Sequence, residues 1–290
     1  QQLILQHNFK TRFNNRIFGD INTFLPTAKV LHVDIDRAEI NKNVLAHLML
    51  LGDAGIVMDA LGRLLPSSVD RSGWIKDITA LKSSIKPQEP ENPQALYPPV
   101  MMKSLRQAVG DDAIVSTDVG QHQMWTALHM PFEKPYTLIT SGGMGTMGFG
   151  LGAAIGAQMA KPDTPTVLVT GDGSFRMNCN ELSTMVYNNL PIIIVLMNNG
   201  TLGMVRQWQT LFYDKCYYMT TLDRGPDFVK LAEAYGFEGH CIETLPDFEK
   251  RVKEAVSARK PVLLDCRIWV DEKVRPMVGP GKPITEFVLK

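Results

Sequence analysis

The sequence has no excess of either charge: 30 Lys plus Arg balance 30 Asp plus Glu over 290 residues, for a formal net charge of zero. That removes the basic footprint expected of a nucleic-acid binder. Long apolar runs are missing too. Stretches such as Ile192 to Met197 are strand-sized and far too short to span a bilayer. The first residues, Gln1-Gln2-Leu3-Ile4-Leu5, lack the basic start, long apolar core and cleavage site of a signal peptide. Cysteine is scarce. Cys179, Cys216, Cys241 and Cys266 contain no C-x-x-C pair, and their spacing fits neither a zinc site nor a disulfide framework. Free thiols in a reducing compartment are the simpler reading. What is present is apolar substance, 44% hydrophobic residues, enough to bury a real core. A globular cytoplasmic protein with no membrane or nucleic-acid partner is expected.

Proline punctuates the chain. Lys86-Pro87-Gln88-Glu89-Pro90-Glu91-Asn92-Pro93, followed by Pro98-Pro99, can continue neither a helix nor a central strand. It divides the chain into residues 1–86, a linker over 87–99, and residues 100–290. Upstream, Lys29 to Ile35 reads as a strand, and Ile56 to Leu65 as a helix with Val57, Ala60, Leu61 and Leu64 at helical spacing. So few elements suggest part of a larger α/β domain. Downstream, a helix over Val100 to Val109 precedes strands at Ala113–Ser116, Thr166–Thr170, Ile192–Met197 and Pro261–Cys266, with helical stretches between them. That alternation predicts an α/β fold with a doubly wound parallel sheet. The strands are unbroken apolar runs, as expected when both sheet faces are covered.

In such sheets ligands bind beyond the carboxyl ends of the strands. The strand Thr166–Thr170 runs into Gly171-Asp172-Gly173-Ser174, and Ile192–Met197 runs into Asn198-Asn199-Gly200-Thr201. Between them Asn178 and Glu181 suggest a reciprocal helix cap, with Leu182, Met185 and Val186 on one apolar face. A right-handed crossover would place both strands in one sheet, so that Asp172 and Asn199 share an edge. A carboxylate and an amide oxygen suit Mg2+, which keeps octahedral geometry and shares its shell with water and phosphate. The flanking glycines let the backbone approach a phosphate closely. Either motif alone could be an ordinary turn; both together point to a site.

A second glycine cluster, Ser141-Gly142-Gly143-Met144-Gly145-Thr146-Met147-Gly148-Phe149-Gly150-Leu151-Gly152, opens into the small-residue stretch Ala153-Ala154-Ile155-Gly156-Ala157. Free N–H groups at that helix start could hold an anion, although tight helix packing alone would explain several of the glycines. The P-loop G-K-[ST] is absent, and the cluster follows no strong strand as G-x-G-x-x-G should.

Gly171-Asp172-Gly173, then 24 residues, then Asn198-Asn199, resembles the signature of thiamine-diphosphate enzymes. Gly120-Gln121-His122-Gln123-Met124-Trp125, Thr140 to Gly148, Gly203-Met204-Val205-Arg206-Gln207-Trp208-Gln209 and Pro276-Met277-Val278-Gly279-Pro280-Gly281 resemble, within that class, the large catalytic subunit of acetolactate synthase. The likeness runs over nearly the whole chain from Thr11. It implies thiamine diphosphate with Mg2+ bound by the Asp172 and Asn199 side chains and the Thr201 carbonyl. Gln121, His122 and Ser174 would contact the diphosphate, and Gly145, Gly171, Gly173, Leu202, Gly203 and Met204 would line the pocket. Met147 would wedge beneath the cofactor. Trp208 would shape the site for the second 2-oxo acid, and Gln123 completes the expected catalytic positions.

The implied reaction condenses two 2-oxo acids, pyruvate with pyruvate or 2-oxobutyrate, with loss of carbon dioxide, on the route to branched-chain amino acids. Residues 100–290 would then be the diphosphate-binding domain and residues 1–86 part of the family's middle domain. Full-length relatives use FAD: Thr11-Arg12-Phe13-Asn14-Asn15-Arg16 and Val33-Asp34-Ile35-Asp36 resemble that region, and Arg16 would contact flavin or the second substrate. The family's activating glutamate lies on a preceding domain and acts across a dimer interface, so this chain alone is expected to turn over little or no pyruvate. A homodimer or tetramer and a small regulatory subunit are the expected partners. The alternatives are a related decarboxylase, oxidase or carboligase, and a cofactor-binding module whose catalytic partner domain is a separate polypeptide.

Overall fold

The computed structural model describes residues 3–6, 13, 19–24, 26–65, 69–84, 88–222 and 224–288. The chain forms two compact units, one of Gln1–Gln88 with Arg275–Lys290, the other of Glu89–Val274.

In the first unit β1 (Leu3–Gln6), β2 (Lys29–Asp34) and β3 (Leu48–Leu51) pair in parallel, with β2 central. β2 stops one residue short of the expected end, because the Asp34 carboxylate accepts the Asp36 N–H at 2.8 Å and turns the chain. The helix α1 (Ala54–Leu64) starts earlier than its apolar pattern suggests, because Asp53 caps it by accepting the Ile56 N–H. A further helix, α2 (Ser72–Ser84), follows; neither helix has a buried residue. Phe13 is buried, edge-on to Phe24 and His32. The rest of the stretch from Thr11 to Arg16, Arg16 included, lies outside the described residues, as do Lys86 and Pro87 of the proline-rich segment.

The second unit runs in chain order through α3 (Pro98–Val109), β4 (Ile114–Thr117), α4 (Gln121–His129), β5 (Leu138–Thr140), α5 (Phe149–Ala160), β6 (Thr166–Gly171), α6 (Asp172–Phe175), α7 (Leu182–Tyr187), β7 (Ile192–Asn198), α8 (Gly203–Phe212), α9 (Phe228–Ala234), β8 (Glu238–Ile242), α10 (Leu245–Ala258) and β9 (Val262–Arg267). Its six strands form one sheet in the order β5-β4-β6-β7-β9-β8, every neighbouring pair parallel. The expected doubly wound sheet is present. Alternate residues of β6 and β7 feed two different cores. Val167, Val169, Ile193 and Val195 pack with Met101, Leu105 and Phe248 of α3 and α10. Leu168, Ile192, Ile194 and Leu196 pack with Leu151, Met185 and Phe228 of α5, α7 and α9. Helices on both faces are why these strands carry no polar alternation.

Three details depart from the expectations. Pro98 and Pro99 occupy the first turn of α3, where a missing N–H has no intrahelical partner to lose. Asn178 and Glu181 form no reciprocal cap. The Asn178 amide instead donates to the Gly148 carbonyl at 3.2 Å, and Glu181 accepts from the Thr184 hydroxyl at 2.8 Å. β5 and β8 escaped the pattern because they are edge strands, one only three residues long and neither an unbroken buried run. Past Val274 the chain joins the first unit, where β10 (Met277–Val278) and β11 (Phe287–Val288) pair antiparallel.

Candidate cofactor site

Gly171 at the end of β6 lies opposite Met197 of β7 in parallel register, so the segments that follow them leave the same sheet edge. A cavity of about 290 Å³ opens there, near the lower end of the roughly 300–1,000 Å³ usual for ligand pockets. Every residue expected to hold the cofactor lines it. Gln121 and His122 come from α4, Gly145 and Met147 from the glycine-rich loop, and Gly171, Asp172, Gly173 and Ser174 from the β6–α6 junction. Asn199 and Thr201 follow β7, and Leu202, Gly203 and Met204 lie at the start of α8. Gln123 also lines the cavity, its amide donating to the Thr140 hydroxyl at 2.8 Å. Trp208 does not. With Gln209, Tyr213 and Cys216 it lines a neighbouring cavity of about 550 Å³ that shares Met204 and Val205 with the first.

Asp172 is 2% exposed, and its Oδ2 has no hydrogen-bond partner. Burial, opposed mainly by the charge of Arg176, pushes its carboxyl up to about 6. A buried carboxylate with an unmatched oxygen calls for a cation. Among the described residues no group of three His, Cys, Asp or Glu side chains could hold a metal ion. A cation at Asp172 would therefore complete its shell with amide and carbonyl oxygens and with a ligand. Asn199 and Thr201 supply that chemistry. The Asn199 Oδ1 accepts the Thr201 N–H at 3.2 Å, and the Thr201 hydroxyl is engaged on the Thr220 carbonyl at 2.7 Å. Thr201 could offer a cation its backbone carbonyl or a remaining lone pair of its hydroxyl.

Of the neighbouring Asn198-Asn199 pair only Asn199 reaches the cavity. Asn198 is a buried strand residue whose amide donates to Asp265 Oδ1 at 2.8 Å. His122 is buried and its Nε2 lacks a partner. Burial pushes its pKa down to about 3, only partly countered by the Asp118 carbonyl. The Ser174 hydroxyl donates to the Val119 carbonyl at 2.6 Å.

No sequence motif singles out Asp118. Just past the end of β4 and buried, it accepts the Gly148 N–H at 2.7 Å. The anion at the start of α5 is thus this carboxylate, within the protein. Gly148, with φ +89°, is held at its N–H by Asp118 and at its carbonyl by Asn178, which fixes the backbone beside Met147. A carboxylate one residue beyond a buried strand, at the same sheet edge as Asp172, was the signal that could have revealed it. The glycine at 150 has a packing reason: a Cβ there would fall 2.7 Å from Leu168 Cδ1 and 2.8 Å from the Asp118 nitrogen.

Residues 118–266 match the family model of the thiamine pyrophosphate enzyme C-terminal TPP-binding domain, a span that holds the whole Asp172–Asn199 unit. The chain belongs to the thiamine pyrophosphate enzyme family. Residues 9–61 match the central domain of the same family. Among similar proteins, the chain is 39% identical over 293 residues to a probable acetolactate synthase large subunit of Methanococcus aeolicus, covering 96% of this chain and 49% of that protein. It is 42% identical over 279 residues to the acetolactate synthase isozyme 2 large subunit of Escherichia coli, covering 96% of this chain and 50% of that one. The chain thus spans about half the length of these relatives. In three dimensions it is similar to a Rhodococcus jostii thiamine diphosphate-dependent 4-hydroxybenzoylformate decarboxylase. The TM-score is 0.70 at 26% identity, over 83% of this chain and 44% of that one. Among the described residues no helix is long and apolar enough to cross a membrane.

Proposed function

We propose that this chain is the diphosphate-binding part of an acetolactate synthase, which joins two 2-oxo acids with loss of carbon dioxide, using thiamine diphosphate and Mg2+. The observation that carries this is the buried Asp172 carboxylate with its unmatched oxygen, at a cavity lined by all the expected cofactor residues. The likeness at about 40% identity to acetolactate synthase large subunits supports the choice of reaction. Bound thiamine diphosphate supplies the electron sink for decarboxylating one 2-oxo acid and joining its remainder to the second.

The chain's own residues bind and orient. Asp172, Asn199 and the Thr201 carbonyl would hold Mg2+, which would neutralise charge on the diphosphate. Of the expected diphosphate contacts, His122 keeps an unmatched Nε2. Both Gln121 Nε2 protons are taken by Gln207 and the Glu272 carbonyl, and the Ser174 hydroxyl donates to the Val119 carbonyl. Gln121 and Ser174 would therefore line the diphosphate's place without donating to it. Gly171 and Gly173 keep the approach open, since a Cβ would meet His122 Nδ1 at 2.8 Å or Leu202 Cδ2 at 2.6 Å. Met147, which lines the cavity, would serve as the apolar wedge beneath the cofactor. Trp208, in the adjoining cavity, shapes the place of the second 2-oxo acid, pyruvate or 2-oxobutyrate.

The same reading includes service to branched-chain amino-acid synthesis, a homo-oligomer, and a small regulatory subunit, the last favoured by the relatives' designation as large subunits. It also includes a cytoplasmic location, favoured by four free cysteines.

Calorimetric titration of the chain with thiamine diphosphate tests the site. Binding is expected to be strengthened by Mg2+ and that gain to be lost in Asp172→Ala; equal binding of both proteins regardless of Mg2+ would sink the cation reading. Product analysis of the protein that carries this chain tests the reaction. Acetolactate from pyruvate is expected, whereas acetaldehyde or acetyl phosphate would place it with the decarboxylases or oxidases.

A further inference from the structure

The orientation of the Asn199 amide is set in part from outside the cavity, by Gln207 acting through the cavity-lining Gln121. Gln207, on α8, is 3% exposed and does not line the cofactor cavity. Its side chain grips one backbone residue with both ends: Nε2 donates to the Val274 carbonyl at 2.9 Å, and Oε1 accepts the Val274 N–H at 2.9 Å. A carbonyl can only accept and an amide N–H can only donate, so Gln207 has one permitted orientation. Its oxygen then accepts from Gln121 Nε2 at 2.9 Å, and the same Nε2 also donates to the Glu272 carbonyl at 2.8 Å. With its nitrogen committed, Gln121 turns its oxygen to Asn199 Nδ2 at 3.3 Å. The nitrogen of Asn199 therefore faces Gln121. Its oxygen accepts the Thr201 N–H and keeps a second lone pair.

Gly203 is an independent mark of the same arrangement. A Cβ at that position would fall 2.0 Å from Gln121 Oε1 and 2.6 Å from Asn199 Nδ2. A glycine there leaves room for the meeting of these two amides, at a position with no left-handed backbone to require it.

We infer that Gln207 is a positioning residue that, through Gln121, presents the oxygen rather than the nitrogen of the Asn199 amide to a divalent cation. The inference rests on the cation reading of the Asp172–Asn199 site. Partners behind a metal ligand usually tune metal affinity by 10- to 100-fold, roughly. The readout is the factor by which Mg2+ strengthens thiamine diphosphate binding, taken as the ratio of dissociation constants without and with the metal.

Gln207→Met is expected to lower that factor about tenfold or more while leaving metal-free binding within about twofold. A general packing defect would weaken both arms alike. Gln207→Glu keeps the acceptor for Gln121 and the Val274 N–H but sets an oxygen that cannot donate against the Val274 carbonyl, and is expected to lower the factor as well. If Gln207→Met fails to fold, Gly203→Ala, whose Cβ would fall on Gln121 Oε1 and Asn199 Nδ2, is expected to lose the same factor. A wild type that gains nothing from Mg2+ overturns the site reading itself. A wild type that gains, an Asn199→Ala that does not, and a Gln207→Met that gains like the wild type overturn the relay alone.

Discussion

The imidazole of His122 occupies the space that a side chain on residue 171 would need: a Cβ there would lie 2.8 Å from Nδ1 and 3.1 Å from Cε1. The bare backbone at the end of β6 and the buried histidine of α4 are therefore one feature. Gly171→Ala must displace His122 or shift the strand. We expect it to weaken thiamine diphosphate binding at least tenfold and to destabilise the fold by about 1–3 kcal/mol. Calorimetry and urea unfolding check the two numbers. Unchanged affinity would mean that His122 has no part in holding the diphosphate.

His122 also sets a pH dependence. Its folded pKa of about 3 lies below the ordinary 6.5. The stability it contributes is present above pH 6.5 and is lost as pH falls towards 3, because the unfolded chain takes up the proton first. His122→Gln removes that loss. Between pH 7 and 4.5 the wild type is expected to lose roughly 2–3 kcal/mol more than the variant, read from urea midpoints at both pH values. Parallel losses would refute it.

Asp172 works in the opposite sense. Its folded pKa of about 6 lies above the ordinary 3.8. Its contribution is fully present below pH 3.8 and is lost as pH rises through 6, since burial penalises the ionised form. In metal-free protein Asp172→Asn is therefore expected to be more stable than the wild type at pH 7.5, by up to about 3 kcal/mol, and no more stable near pH 4. With Mg2+ and thiamine diphosphate the order reverses, because only the wild type gains from the ligand. Melting at two pH values with and without ligand checks all four corners.

Trp208 lines the second cavity and not the first, its ring edge-on to Phe212 at 5.6 Å. Trp208→Ala is expected to leave thiamine diphosphate affinity within about twofold. In the active protein it is expected to change the preference between pyruvate and 2-oxobutyrate about tenfold, the scale of a large change in an apolar pocket. Competition between the two acids, with both products quantified, measures this. An unchanged product ratio would remove Trp208 from the selection of the second substrate.

The sequence by itself determined the sheet that carries the site. Continuous apolar runs at Thr166–Thr170 and Ile192–Met197 read as strands covered on both faces, which the structure bears out over Thr166–Gly171 and Ile192–Asn198, and the Gly-Asp-Gly and Asn-Asn beyond them mark one edge. Local chemistry was enough, because period, turn residues and ligand type are all properties of neighbours in the chain. Only the tertiary structure decided what lies behind that edge. Gln207 reaches Val274 across 67 positions of sequence and Gln121 across 86, and Asp118 reaches Gly148 across 30. Hydrogen bonds between such distant residues leave no periodic trace, since each is set by where the sheet brings two segments together. They are also why Asn198 and Asn199, adjacent and identical in type, differ in role: one is tied to Asp265 within the sheet, the other is turned to the cavity.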